Sequence, residues 1–196
     1  MDAAKPHGLL ERDRSCLVVI DVQQYFLDKL PLDQRQPLVD RMAWLMRVAR
    51  ILEIPIIATA EDIAASGPLV SDLARELAPD TRIFDKKIFG LCGQPDIRAA
   101  VAAVGRRDFV LVGLETDVCV AQSAIGLLEA GFRVAAIEDA TASPPPHHAY
   151  GIARMAAAGV MVTSVKGVYY EWIRDLQVEE RVRSQLNRPL PAGLTL

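Results

Sequence analysis

The chain has 196 residues, 51% of them hydrophobic and 24% charged, with 22 Lys and Arg against 25 Asp and Glu for a net charge of −3. That size suits one domain with a substantial core; the lack of a basic stripe argues against nucleic acid as a partner, and the lack of a long apolar run argues against a membrane. The polar N-terminus does not read as a secretory signal, so a cytoplasmic protein is expected, and three cysteines without a C-x-x-C pair fit neither a disulfide framework nor a zinc site.

Residues 1–14 read as a lead-in, with Pro6 and Gly8 interrupting any periodicity. Cys16 to Asp21 (CLVVID) is apolar on both faces, which predicts a central parallel strand ending in a carboxylate. Cys16 itself is expected to be a core thiol. Val22 to Phe26 is expected as a loop, Pro37 to Glu53 as a helix with Pro at its start, and Ile54 to Ala60 as a second strand. A loop over Glu61 to Pro68 then leads to a short helix over Leu69 to Leu77, a more polar third strand over Arg82 to Ile88, and a helix over Pro95 to Val104. Phe109 to Leu114 reads as the fourth strand, and from Val118 the apolar positions recur at helical spacing until Gly131. Arg133 to Glu138, ending at Asp139, is the fifth strand; Pro145 to Ala158, closed by Gly159, a helix; Val160 to Ser164 the sixth strand; Val168 to Leu176 the last helix. From Gln177 a tail or an oligomerisation arm is expected, since Leu190, Leu194 and Leu196 would otherwise lie in water. Six strands alternating with helices predict an α/β fold, a three-layer α/β/α sandwich on a doubly wound six-stranded parallel sheet, with its core over 14–176.

Chemistry concentrates on the stretch between the fourth strand and its helix, Gly113-Leu-Glu-Thr-Asp-Val-Cys119. With Thr116 or Asp117 as N-cap, Cys119 falls in the first turn, where the helix dipole favours thiolate and free amides point at whatever the sulfur attacks. If the strand order is 3-2-1-4-5-6, strands 1 and 4 are neighbours at the reversal of direction, where ligands bind, and Asp21 faces Cys119. Asp21 would then exchange a proton with the thiol, or else merely cap the following turn. Strand 3 ends in Asp85-Lys86-Lys87, and alternation sends the two lysines to opposite sides without saying which turns inward. Phe26, Phe89, Leu91 and Cys92 follow strand ends and either line the pocket or pack their loops. His147 and His148 are expected to cap a helix or face solvent, and Glu61 or Asp62 to cap a loop or form a polar wall.

Together Val19-Ile-Asp21-Val-Gln-Gln-Tyr-Phe26, Lys86-Lys-Ile-Phe89, Gly113 to Val120, Glu129-Ala-Gly-Phe-Arg-Val134 and Asp139-Ala140 resemble the isochorismatase-like cysteine hydrolase superfamily over about residues 14 to 176. The nearest look is to the isochorismatase domain-containing branch, through Glu129 to Asp139 and Arg154 to Gly159. The resemblance implies a catalytic aspartate at Asp21, a nucleophile at Cys119 and, since Phe89 follows three positions on, the family's lysine at Lys86. It also implies a cis peptide at Leu114–Glu115, an oxyanion hole from the Glu115 and Cys119 amides, and a dimer or larger assembly. The family's serine after that Phe is replaced by Gly90. Nicotinamidases, more distant relatives, hold a metal through Asp-x-His after strand 2; this chain has Thr59-Ala-Glu-Asp-Ile63 there, so no metal and no cofactor are expected.

The expectation is therefore a metal-independent cysteine hydrolase that cleaves a small amide, ureido or related acyl substrate, at a non-peptide C–N bond, through a thioester at Cys119. The alternative is a catalytically idle oligomeric scaffold or metabolite-binding protein. A dinucleotide-binding domain is disfavoured, because Asp21-Val-Gln-Gln-Tyr-Phe26 follows strand 1 where a glycine-rich turn would be needed.

Overall fold

The computed structural model describes residues 8–196; the part of the expected lead-in before Gly8 lies outside the described residues. Along the chain run β1 (Ser15–Ile20), α1 (Gln24–Leu27), α2 (Leu32–Ile51), β2 (Ile56–Glu61), α3 (Ile63–Ser66), α4 (Ser71–Ala74), β3 (Ile83–Lys86) and α5 (Pro95–Ala103). They are followed by β4 (Asp108–Leu114), α6 (Ala121–Glu129), β5 (Arg133–Ala142), α7 (His147–Ala158), β6 (Met161–Thr163), α8 (Val165–Ile173) and α9 (Leu176–Leu186). The six strands form one parallel sheet in the order β3-β2-β1-β4-β5-β6. β1 and β4 are buried along their whole length. Interior parallel strands are covered on both faces, so their sequences read as unbroken apolar runs rather than alternating ones.

Each face of the sheet has its own core. On one side α2, α8 and α9 bury Leu45, Trp44, Tyr169 and Trp172, with the Trp44 and Tyr169 rings 5.1 Å apart. On the other, α5, α6 and α7 bury Ile97, Leu127 and Met155 against Phe109 and Leu111. β4 runs so close to β1 that a side chain at Gly113 (φ +131°) would overlap the Ile20 carbonyl. The β4–β5 register also shifts between Leu111 and Gly113. These two features bring the end of β1 and the segment after β4 together.

Several boundaries differ from the sequence-based expectation. Residues 24–27, expected as loop, form a helical turn, and α2 begins at Leu32, leaving Pro37 inside it. Pro37 costs the one bond that its missing N–H would have made, a loss that the packing of a 20-residue helix outweighs. β2 starts after Pro55, β3 ends at Lys86, and β5 continues to Ala142. Part of the expected Glu61–Pro68 loop is α3, capped by Asp62, and α4 is shorter than expected. α8 begins at Val165, where Ser164 Oγ accepts the Gly167 amide, and ends at Ile173. The expected tail is in part a helix: Asp175 caps α9 through the Val178 amide, and Val182 and Leu186 are buried. Leu194 is buried on the same core and Leu196 packs against it, so neither stands in water as the tail reading supposed.

Candidate active site

Asp21 follows β1 directly, and its backbone is in the left-handed region (φ +51°), a conformation Asp tolerates better than most residues. The turn that follows is closed by the Gln23 amide bonding to the Asp21 carbonyl, 2.9 Å. The Asp21 carboxylate does not cap that turn. Its Oδ1 accepts from Thr59 Oγ1 at 2.7 Å, and its Oδ2 is 2.8 Å from Lys86 Nζ, with both side chains fully buried.

Lys86 closes β3. Strand alternation puts it inside, while Lys87 stands in solvent, paired with Asp62 and Asp85. The register pairs Glu61 with Lys86 across β2 and β3. Lys86 Nζ accordingly reaches Glu61 Oε2 at 3.5 Å and Cys119 Sγ at 3.5 Å, and donates to the Ile88 carbonyl at 3.2 Å. Burial alone would lower its pKa, but Asp21, Cys119 and Glu61 together hold it above the ordinary lysine value. The ammonium stays charged.

After β4 the Leu114–Glu115 peptide is cis. Thr116 to Val120 then form a wide turn in which the Val120 amide reaches back five residues to the Glu115 carbonyl at 3.1 Å. Thr116 and Asp117 were the N-cap candidates, but the cap position is Glu115 and no side chain caps the helix. Thr116 Oγ1 instead lies 2.8 Å from His148 Nδ1, and Asp117 Oδ1 accepts from Ser143 Oγ at 2.6 Å. α7 presses on this loop: a Cβ at Gly151 would come within 2.7 Å of the Asp117 nitrogen. The loop is therefore fixed from behind by Ser143, Gly151 and His148, and it delivers Cys119 to the centre of the group.

Cys119 is 3% exposed. Its Sγ donates to Glu61 Oε2 at 3.1 Å. The ligand-capable atoms of Asp21, Glu61 and Cys119 all lie within 4.8 Å of one another. Such a trio could in principle hold a metal ion, yet the Lys86 ammonium already lies against all three and supplies the positive charge there. The surroundings of the sulfur work against the expected thiolate. Burial pushes the Cys119 pKa up strongly, the Asp21 and Glu61 charges push the same way, and Lys86 offsets only part. A helix dipole is worth too little to reverse the loss of water around a thiolate flanked by two carboxylates. Asp21 is likewise raised by burial, against the opposing pull of Lys86, Thr59 and Cys119, which makes it readier to accept a proton than an exposed aspartate.

The remaining expected residues separate. The Phe89 ring is half exposed, with its centroid 5.9 Å from Lys86 Nζ. Phe26 is buried, and Lys29 Nζ stands over its ring at 4.6 Å while pairing with Glu115. Leu91 has no exposed surface and its amide bonds to Ser123 Oγ, so it packs behind the site rather than lining it. Cys92 faces Gly126 of α6. His147 is exposed beside Asp117. A cavity of about 520 Å³ lies on the other side of the nucleophile loop, among Arg41, Glu138, Ser143, Pro146 and His148; none of Asp21, Glu61, Lys86 or Cys119 lines it.

Two groups escaped the sequence reading. Thr59 holds Asp21, and the buried Gln23 amide clamps β2 by donating to the Glu61 carbonyl at 2.8 Å and accepting the Glu61 amide at 2.6 Å. Glu61 was expected only as a cap or wall. Its signal was available: it is the carboxylate at the end of β2, one strand from Asp21.

Comparison with known proteins gives a consistent result. A family model described as the isochorismatase domain matches residues 15–167. The chain is 28% identical over 178 residues to the secreted isochorismatase effector Isc1 of Phytophthora sojae, covering 88% of this chain and 83% of that one. Among solved structures, it is similar to YcaC from Pseudomonas aeruginosa, described with hexane-2,5-diol and covalent acrylamide (TM-score 0.82, 26% identity, 92% of this chain and 90% of that one). It is also similar to the ycaC gene product of Escherichia coli, described as an octameric hydrolase of unknown specificity (TM-score 0.84, 25% identity, 93% and 91%).

Proposed function

This chain belongs to the isochorismatase family of hydrolases, and from that premise we propose that it hydrolyses a small amide, ureido or related acyl substrate through a thioester at Cys119. The observation that carries the reading is the meeting of Cys119 Sγ, the Asp21 carboxylate and the Lys86 ammonium in one sealed cluster at the carboxyl end of the sheet. Asp21 takes the thiol proton as Sγ attacks the carbonyl carbon. The amides of Glu115 and Cys119 hold the oxyanion that forms. When the C–N bond breaks, the proton returns from Asp21 to the leaving amine, and Lys86 holds Asp21 near the sulfur and favours its ionised form before the attack. Water, activated by Asp21 in the reading from sequence, then releases the acyl group from the thioester.

Substrate approach is set by the rim. Phe89 stands half exposed with its ring 5.9 Å from Lys86 Nζ, and Glu115, at the start of the nucleophile loop, pairs with Lys29. The same reading takes the protein to be a homo-oligomer, supported by the octameric Escherichia coli relative, and cytoplasmic, supported by three unpaired cysteines. No helix among the described residues is long and apolar enough to cross a membrane.

The test is a screen of small amides and ureides for ammonia release, repeated with Cys119→Ala. Turnover by the wild type that disappears in the variant supports the reading; undiminished turnover in Cys119→Ala defeats it. One observation favours a second reading, an idle scaffold: the sulfur is buried, and burial raises its pKa. Failure of Cys119 to take up any acyl group from the screened compounds would favour that scaffold.

A further inference from the structure

We propose that Glu61 is the acid–base residue of the second half-reaction, activating the water that cleaves the Cys119 thioester and then returning the proton to the sulfur. The inference rests on the cysteine-hydrolase reading above and moves one step of it, the activation of water, from Asp21 to Glu61.

The cluster holds two carboxylates, and their surroundings differ in the way that separates their tasks. Asp21 is sealed: its side chain has no exposure, Thr59 occupies one oxygen and Lys86 the other. It can serve the thiol beside it, but a water molecule can reach it only by displacing one of those partners. Glu61 has 21% of its side chain exposed, so it is the member of the cluster that meets solvent. Its Oε2 is also the atom that accepts the thiol hydrogen at 3.1 Å. A carboxylate in contact with both the reacting sulfur and the water side meets the geometric requirement for a general base acting on a water that attacks an acyl group on that sulfur.

The position of Glu61 is enforced by its backbone. Gln23 clamps the Glu61 carbonyl and amide, the next amide, Asp62, donates to the Lys86 carbonyl at 3.0 Å, and the strand register pairs Glu61 with Lys86. Gln23 is fully buried and spends its side-chain amide on this clamp and on the Gly67 carbonyl. Lys86 Nζ, 3.5 Å from Oε2, holds the carboxylate beside the sulfur.

The step balances without any further reactant. The water oxygen forms a bond to the thioester carbon while one of its protons passes to Glu61 Oε2. The tetrahedral intermediate collapses with cleavage of the C–S bond, and the electron pair goes to sulfur. Glu61 then gives its proton to that sulfur, restoring the thiol and the carboxylate. The other water proton leaves on the carboxylic acid product.

The test uses p-nitrophenyl acetate as an acylating probe with the full chain, following p-nitrophenolate release by rapid mixing and acetyl-Cys119 by intact mass. In Glu61→Gln the expected result is a burst of about one equivalent per chain, then a steady rate about 100-fold below wild type, with acetyl-enzyme accumulating. Glu61→Asp, which keeps the carboxylate and retracts it by one methylene, should deacylate at an intermediate rate. Equal slowing of burst and steady phases in both variants, with no acetyl-enzyme, would show a merely structural residue and overturn the proposal. A burst that survives in Cys119→Ala would instead overturn the nucleophile assignment, and the Glu61 step with it.

Discussion

Lys86 Nζ lies 2.8 Å from Asp21 Oδ2, and neither side chain has any exposure to solvent. An ion pair so placed adds little net stability over an apolar pair, because both charges give up their water, but its members depend on each other. Adjacent Lys87 pairs with Asp62 and Asp85 while half exposed, where solvent screens the attraction. Two neighbouring lysines thus have opposite energetic weight.

Lys86→Met should therefore lower the unfolding free energy by about 3–5 kcal/mol at neutral pH, since Asp21 is left sealed without a cation. Urea unfolding checks it. Lys87→Met should leave the midpoint nearly unchanged, and Asp21→Asn combined with Lys86→Met should recover much of the loss. Equal losses at the two lysines would contradict the structure.

Alkaline pH should weaken the fold through its buried thiols. Burial raises Cys16 from the ordinary value of 9.0 to about 12, so between those limits the unfolded chain releases a proton that the folded chain keeps. Stability from this group is complete below pH 9 and falls as pH rises towards 12. From pH 7 to 10 the Cys16 share is on the order of 1 kcal/mol. Cys119, shifted in the same direction, adds to the fall. Urea midpoints measured across that range should drop, and Cys16→Ala should flatten the slope; an unchanged slope in the variant would show that Cys16 is not the source.

Removing the Glu61 charge should make the sulfur easier to ionise. Glu61 raises the Cys119 pKa both by accepting the thiol hydrogen and by its charge. In Glu61→Gln, alkylation of Cys119 by iodoacetamide at pH 7.5 should be about ten-fold faster than in the wild type, corresponding to a downward shift of about one unit. A rate that stays the same or falls would remove Glu61 from the electrostatics of the sulfur. Cys16 should remain unmodified in both.

Gly151→Ala should separate α7 from the nucleophile loop. The added methyl would meet the Asp117 nitrogen at 2.7 Å and the Thr116 carbonyl carbon at 2.8 Å, and both are backbone atoms that cannot rotate away. Overpacking of this kind costs about 1–3 kcal/mol. The displaced loop carries Cys119, so acyl transfer should fall further than stability alone explains. Thermal unfolding and the p-nitrophenyl acetate burst, measured on one preparation, report the two effects separately.

The sheet and its order were legible because the signals are local. Cys16 to Ile20 and Phe109 to Leu114 carry no polar residue to assign to a solvent face, and a strand with no such face sits inside a parallel sheet. Strand ends in such a sheet converge by topology, which brought Asp21, the Lys86–Lys87 pair and Cys119 into view before any side chain was placed. Helix limits were less legible. Pro37 read as a start and lies inside α2, and α9 lay hidden in a polar stretch, because both depend on packing against distant elements rather than on their own sequences.

The side of β3 on which Lys86 stands, the capture of Glu61 by the cluster and the raised pKa of Cys119 were decided only in three dimensions. The first follows from which side of β3 faces the crevice, the second from the β2–β3 register and the Gln23 clamp. The third is a sum over burial and three neighbouring charges, none of which is adjacent to Cys119 in the chain. Sequence spacing determines which residues a strand or helix presents at its end. The ionisation of a group placed there depends on distances through space and on the exclusion of water, and those exist only once the chain has closed around it.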